Sequence, residues 1–200
     1  MNLDFPVVAA EIIKIGHPAL RHGTRTVPQT LFGTSALREL IDVMRATLAG
    51  QGVGLAAPQI AVPFRLFVIE DTEERMAHLS ADQRRERNRY PYPFEAIINP
   101  TLRATSSRTV IDHEGCLSIP GFEADVPRYW AVEVEGCGPD GERKLWSVEG
   151  WPARIFQHEI DHLDGCLIID RMLPRTLTST DPLGVGASSG LLQRLGLSSL

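Results

Sequence analysis

The chain has 200 residues, 20 Lys+Arg against 25 Asp+Glu for a formal net charge of −5, and a content of 43% hydrophobic and 22% charged residues. Such a length suits one domain that buries roughly 70% of its unfolded surface, and the composition is that of an ordinary soluble globular chain. The mild acidity argues against DNA or RNA as the main partner, because phosphate neutralisation needs clustered Lys and Arg. Ten N-terminal residues with an Asp, a Pro and a short apolar run do not form a secretory leader. The charge-free stretch 46–64 carries three Gly and two Pro, which makes it a poor membrane span. Three widely spaced cysteines, Cys116, Cys137 and Cys166, are a poor disulfide framework. A cytoplasmic location follows as the expectation.

In chain order, Ser35 can cap a helix whose Leu37, Leu40, Ile41, Met44 and Leu48 recur at helical spacing, with Gly50 as its stop. A loop-like Gly/Pro segment, 52–59, precedes an apolar strand over 65–69. The stretch 71–94 holds five acids (Asp71, Glu73, Glu74, Asp82, Glu86) and five arginines (Arg75, Arg84, Arg85, Arg87, Arg89), so it nets to zero. That pattern predicts a solvated helical insertion rather than an RNA- or ribosome-contacting patch. Further strands are predicted at 96–98, 109–111, 130–135 and 144–148. A last helix spans 152–164, with Pro152 at its first position and Gly165 at its stop. Helix, strands, then helix indicates α+β, with antiparallel or mixed sheets packed around the C-terminal helix. Residues 1–175 form one catalytic domain, and the Ser/Thr/Gly/Leu-rich stretch 176–200 is expected to be a flexible tail.

His158-Glu159-Ile160-Asp161-His162 is the most informative segment. Residues i and i+4 share a helix face, so His158 and His162 can place two imidazoles on one metal ion. Glu159, beside the first ligand, fits a general base for metal-assisted hydrolysis, the HExxH chemistry. Ile155, Phe156, Ile160 and Leu163 make the helix apolar elsewhere, so it is packed and its polar groups need partners. A third ligand is required. The cysteines, the remaining histidines (His17, His22, His78, His113) and the acids are candidates, and spacing favours Cys116 only weakly. Gly52-Val53-Gly54-Leu55-Ala56-Ala57 also fits a loose dinucleotide-binding pattern. It follows a helix rather than a strand, which excludes that reading.

Three segments together resemble the peptide deformylase family: Gly52-Val53-Gly54-Leu55-Ala56-Ala57-Pro58-Gln59, Glu114-Gly115-Cys116-Leu117-Ser118, and Gln157-His158-Glu159-Ile160-Asp161-His162 with Leu163 and Gly165. They stand in the family's order and spacing, and Ile15-Gly16-His17-Pro18 and Ile169-Asp170-Arg171 extend the similarity over about residues 5–175. The resemblance implies removal of the N-formyl group from the formylmethionine of nascent polypeptides. It implies a metal held by Cys116, His158 and His162, natively Fe(II), with Zn, Ni or Co as substitutes. It further implies that Glu159 accepts the proton of the attacking water and delivers it to the departing amine. The Gln59 side chain and the Leu117 backbone N–H would meet the oxyanion, and Val53–Gly54 would pair with the extended substrate. Ile155 is suited to line the methionine pocket and is equally an ordinary core residue. Asp161 can orient a ligand or pair with an arginine such as Arg128. Nascent peptides, with transient ribosome association, are the implied partners. Where some members carry a substrate-contacting arginine, this sequence has Phe122-Glu123. Two rivals predict differently: an endopeptidase takes a downstream third ligand, and a non-catalytic metal module at the ribosome has a closed fourth position and a dispensable Glu159.

Overall fold

A computed structural model describes residues 7–180 and Arg194. The first apolar stripe forms α1 (Ser35–Leu48), which buries Leu37, Ile41, Met44 and Leu48. Its cap is Thr34 rather than Ser35: Thr34 has extended backbone and its hydroxyl accepts from Leu37 N at 3.3 Å. Both hydroxyls suit the role chemically, but a cap must sit outside the helical backbone, and Ser35 is already inside it.

Among the described residues, eight strands follow: β1 (Gly54–Ala56), β2 (Leu66–Asp71), β3 (Tyr92–Ala104), β4 (Thr109–Cys116), β5 (Ile119–Tyr129), β6 (Ala131–Cys137), β7 (Arg143–Glu149) and β8 (Thr178–Ser179). They form a five-stranded sheet, β1-β2-β3-β6-β7, and a three-stranded sheet, β4-β5-β8. Every ladder is antiparallel. Among the described residues, further helices are α2 (Ala81–Arg87), α3 (Trp151–Leu163) and α4 (Ile168–Arg171).

Alternation along β2 explains the layering. Leu66 and Val68 pack toward α1, whereas Phe67 and Ile69 pack with Ile155, Phe156 and Ile160 of α3. The large sheet is therefore covered by one helix on each face. Phe156 is fully buried and meets Phe67 edge-on, with centroids 5.4 Å apart. The small sheet packs Ile119 and Val126 against Leu167 and Ile168, which sit at α4, and against Cys116.

Four local differences from the sequence reading have identifiable causes. Residues 54–56, within the expected loop, form the edge strand β1 on β2; the long-range ladder overrides the local Gly/Pro signal. Strand β5 has no counterpart among the expected strands; its Pro120, Gly121 and Pro127 are accommodated by the hairpin with β4. The insertion is solvated along α2, yet its opening part is not: Asp71 and Met76 are buried. The chain beyond 175 begins as structure, since β8 pairs with Phe122 and Glu123, and Thr180 N donates to Gly121 O at 2.9 Å. An edge strand offers unpaired backbone groups, and this segment takes them. The rest of the expected tail, apart from Arg194, lies outside the described residues.

Candidate metal centre and catalytic cleft

The frame of the site is α3, which runs antiparallel chemistry on its two sides: apolar residues toward the sheet, polar ones toward β4 and β5. Gly150 precedes it at φ +67°, and a Cβ there would lie 2.5 Å from both Arg87 O and Asn88 Cβ. Trp151 is the first helical residue and Pro152 the second, one place later than expected. Gly165, at φ +75°, closes the far end, where a Cβ would meet Arg21 O at 2.7 Å.

One turn apart, His158 and His162 have ring centroids 5.0 Å apart. Cys116, at the end of β4, comes to them from the other sheet. Its Sγ lies 3.3 Å from His162 Nε2, and single ligand atoms of Cys116, His158 and His162 all lie within 4.8 Å of one another. His158 Nδ1 is 3.0 Å from Glu114 Oε2, which leaves Nε2 for the cluster. Burial holds His162 well below the usual histidine range, whereas contacts with Cys116 and Glu114 outweigh burial and hold His158 above it. This donor set, one thiol and two imidazoles, fits a divalent transition metal. Cys137 packs beside the α1 layer and Cys166 near Leu167, both apart from the cluster. Among the described residues, His17 caps a short turn and His113 pairs with Asp125, away from it.

Behind the histidines lies a buried network of which the sequence reading held only the Asp161–Arg128 pair. Glu114 takes a two-pronged contact from Arg128, at 2.9 Å to each oxygen, and 2.7 Å from Arg154. Arg154 also donates to the carbonyls of Val126 and Val110. Arg128 in turn reaches Asp161 at 2.5 Å, the pairing expected for that acid, and Arg171 holds its other oxygen. Burial alone would raise the Glu114 carboxyl, but Arg128 and His158 outweigh it and hold it below the usual carboxylate range. Arg154 sits four residues before His158 in a packed helix; an arginine there is the one sequence signal that could have revealed the network.

Glu159 is the opposite case. It is buried, Oε2 has no hydrogen-bond partner among the described residues, and burial pushes its carboxyl up to about 7. Gly54 makes room for it: a Cβ at that position would lie 2.3 Å from Glu159 Oε1. Gln59 is buried, its Oε1 accepting from Ala56 N at 2.8 Å. Its Nε2 then lies 3.3 Å from Ser118 Oγ and 3.9 Å from Cys116 Sγ. Leu117 is half-buried, packs against Gly52, and accepts from Lys14 Nζ at its carbonyl. Val53, Gly54, Gln59, Cys116, Leu117, Ile155, His158 and Glu159 thus meet at one open cleft of about 450 Å³. His162 is buried beside Cys116. Phe122 and Trp151 add to the walls.

The family model for polypeptide deformylase matches residues 9–177. This chain belongs to that family. Deformylases are metal-dependent hydrolases that remove the N-formyl group from nascent peptides. The chain is 38% identical to the chloroplastic peptide deformylase 1A of Solanum lycopersicum over 181 residues, covering 90% of this chain and 65% of that protein. It is 40% identical to the mitochondrial peptide deformylase of Homo sapiens over 174 residues, 85% and 70% of the respective chains. The Met-Ala-Ser-bound class I type b deformylase of Acinetobacter baumannii superposes with a TM-score of 0.74 at 29% identity, over 83% of this chain and 99% of that one. Among the described residues, no helix is long and apolar enough to cross a membrane.

Proposed function

We propose that this deformylase works on formylmethionyl peptides through one divalent metal held by Cys116, His158 and His162, natively Fe(II), with Zn, Ni or Co able to replace it. A metal bound there supplies Lewis acidity, which makes water nucleophilic near neutral pH. The protein contributes the rest. Glu159, unpaired at Oε2 and buried against Gly54, accepts the proton of the attacking water as the new C–O bond forms. It returns that proton to the nitrogen as the C–N bond breaks, leaving formate and a free amino terminus. The Gln59 amide, pinned by Ala56 N, and the Leu117 N–H stabilise the developing oxyanion, where each such donor is worth about 2.7–4 kcal/mol.

The outer edge of β1 faces the cleft, so Val53–Gly54 can add an extended peptide as a further strand. Ile155 then lines the pocket for the methionine side chain. Nascent chains met transiently at the ribosome, in the cytoplasm, are the source of substrate in this reading. The observation that carries it is the convergence of Cys116 with His158 and His162 beside an unpaired Glu159.

The test is formate release from formyl-Met-Ala-Ser by anaerobically purified protein of known metal content. Release that tracks bound metal, with no cleavage of the unformylated peptide, supports the assignment and excludes an endopeptidase. Fully metallated protein that releases no formate overturns it. Cys116→Ala should lose metal, whereas Cys137→Ala and Cys166→Ala should keep it.

A further inference from the structure

Trp151 borders two cavities. One side walls the catalytic cleft; the other faces a second cavity of about 280 Å³ shared with Arg87, Asp112, Tyr129 and Arg154. It stands one turn before Ile155 and two before His158, so its ring and Ile155 share a helix face. Its Nε1 is buried and has no hydrogen-bond partner among the described residues. A buried indole usually has one, and the bond sets its orientation.

Here cations approach the ring instead. The Arg89 guanidinium carbon lies 4.6 Å from the Trp151 ring centroid, and that of Arg87 lies 5.5 Å away. Both arginines come from the end of the charged insertion, and both are themselves tied down. Asp71 holds Arg89 through two contacts of 2.8 and 3.1 Å, with the side chains only 1% and 7% exposed. Asp112 of β4 holds Arg87 at 2.8 Å. The close approach of Arg87 O to Gly150 shows how tightly this end of the insertion docks on the start of α3.

We infer that the insertion is a specificity-determining element: Arg89, backed by Asp71, and Arg87, backed by Asp112, clamp the Trp151 ring and so shape the wall that receives the methionine side chain. This rests on the reading above that the Ile155 side of the cleft takes that side chain. A planar guanidinium is attracted to an indole face and stacks on it, which an ammonium does not reproduce. A ring released from the clamp samples several pocket shapes, and substrate binding must select one of them. Neither arginine touches the reacting atoms, so the effect falls on KM and on side-chain preference, and these are positioning residues.

The experiment compares Arg87→Ala, Arg89→Lys, Trp151→Leu and the Arg87→Ala/Trp151→Leu pair on formyl-Met-Ala-Ser and formyl-Ala-Ala-Ser, with metal content and melting temperature measured alongside. Each arginine variant should raise KM for the methionine substrate about three- to fivefold, the size of a modest cation–π contact. Both should retain kcat and metal, and the preference for methionine over alanine should narrow. In the Trp151→Leu background, Arg87→Ala should add nothing. A fall in kcat at unchanged KM, or an arginine effect that persists without the ring, overturns the clamp. If Trp151→Leu leaves the preference intact, the pocket assignment fails instead. If Trp151→Leu alters it and the arginine variants do not, only the clamp fails. Should Arg89→Lys not fold, Arg87→Ala, at a side chain 31% exposed, decides.

Discussion

Glu114 and Glu159 sit within the same cleft, and both are buried, at 5% and 3% exposure. Glu114 is surrounded by Arg128, Arg154 and His158, so its charge is matched and its position fixed. Among the described residues, Glu159 keeps one oxygen without a partner, and burial pushes it up to about 7. One carboxylate is satisfied so that it can hold a ligand still, whereas the other is left poised to exchange a proton. Burial is common to both; the arginines make the difference.

The largest effect that breaks this contrast is removal of the poised group. Glu159→Gln should lower kcat by roughly 10²–10⁴-fold, the usual worth of a positioned base. Metal content should be unchanged, which steady-state assay plus metal analysis will check. Retained activity would sink the base assignment.

Next comes removal of the matched group. Glu114→Ala leaves two buried guanidinium groups without their shared carboxylate and should cost about 3–5 kcal/mol in urea unfolding. It should also weaken metal binding roughly 10–100-fold, because His158 loses its orienting partner. An unfolding midpoint equal to that of wild type would show that the network is dispensable.

The two acids should also part company in pH dependence. Glu159 has a folded value near 7 against 4.5 unfolded, so between these the folded state binds the extra proton. Stability of the metal-free protein should therefore fall as pH rises from about 4.5 to 7, by roughly 3 kcal/mol. Glu159→Gln should flatten that window. Glu114 is lowered, so its contribution is present above the unfolded carboxylate range and lost only as pH falls below it. Thermal melts across pH for the two metal-free proteins separate these effects.

Smaller still, Gly54→Ala puts a methyl where Glu159 Oε1 now lies, and should cost about 1–3 kcal/mol while displacing the base. Its rate should drop more than its melting temperature. At the bottom of the scale, Arg38→Ala breaks the exposed Arg38–Asp140 pair and should change stability by no more than about 1 kcal/mol, with no effect on turnover.

How much of this was legible beforehand depends on the range of the interaction. The two long helices were readable because each carries its apolar stripe within one segment, and His158 and His162 share a face by helical geometry alone. The ends of those helices shifted by a residue, since capping depends on backbone conformation rather than on hydroxyl chemistry. Strand β5 was not among the expected strands, and its prolines are accommodated by the long-range pairing with β4. The insertion looked wholly solvated because its charges balance; that Asp71 and Arg89 pair out of water is a matter of what packs over them.

By itself, the sequence determined the α+β class, the metal-binding face of α3, and the resemblance that pointed to deformylation. Those are properties of local period and of motif. Only the tertiary structure decided that Cys116, 42 and 46 residues before the histidines, lies beside them, that Glu114 is neutralised by arginines while Glu159 is not, and that the insertion reaches Trp151. These are decided by burial and by contacts between segments far apart in the chain, which no local pattern encodes.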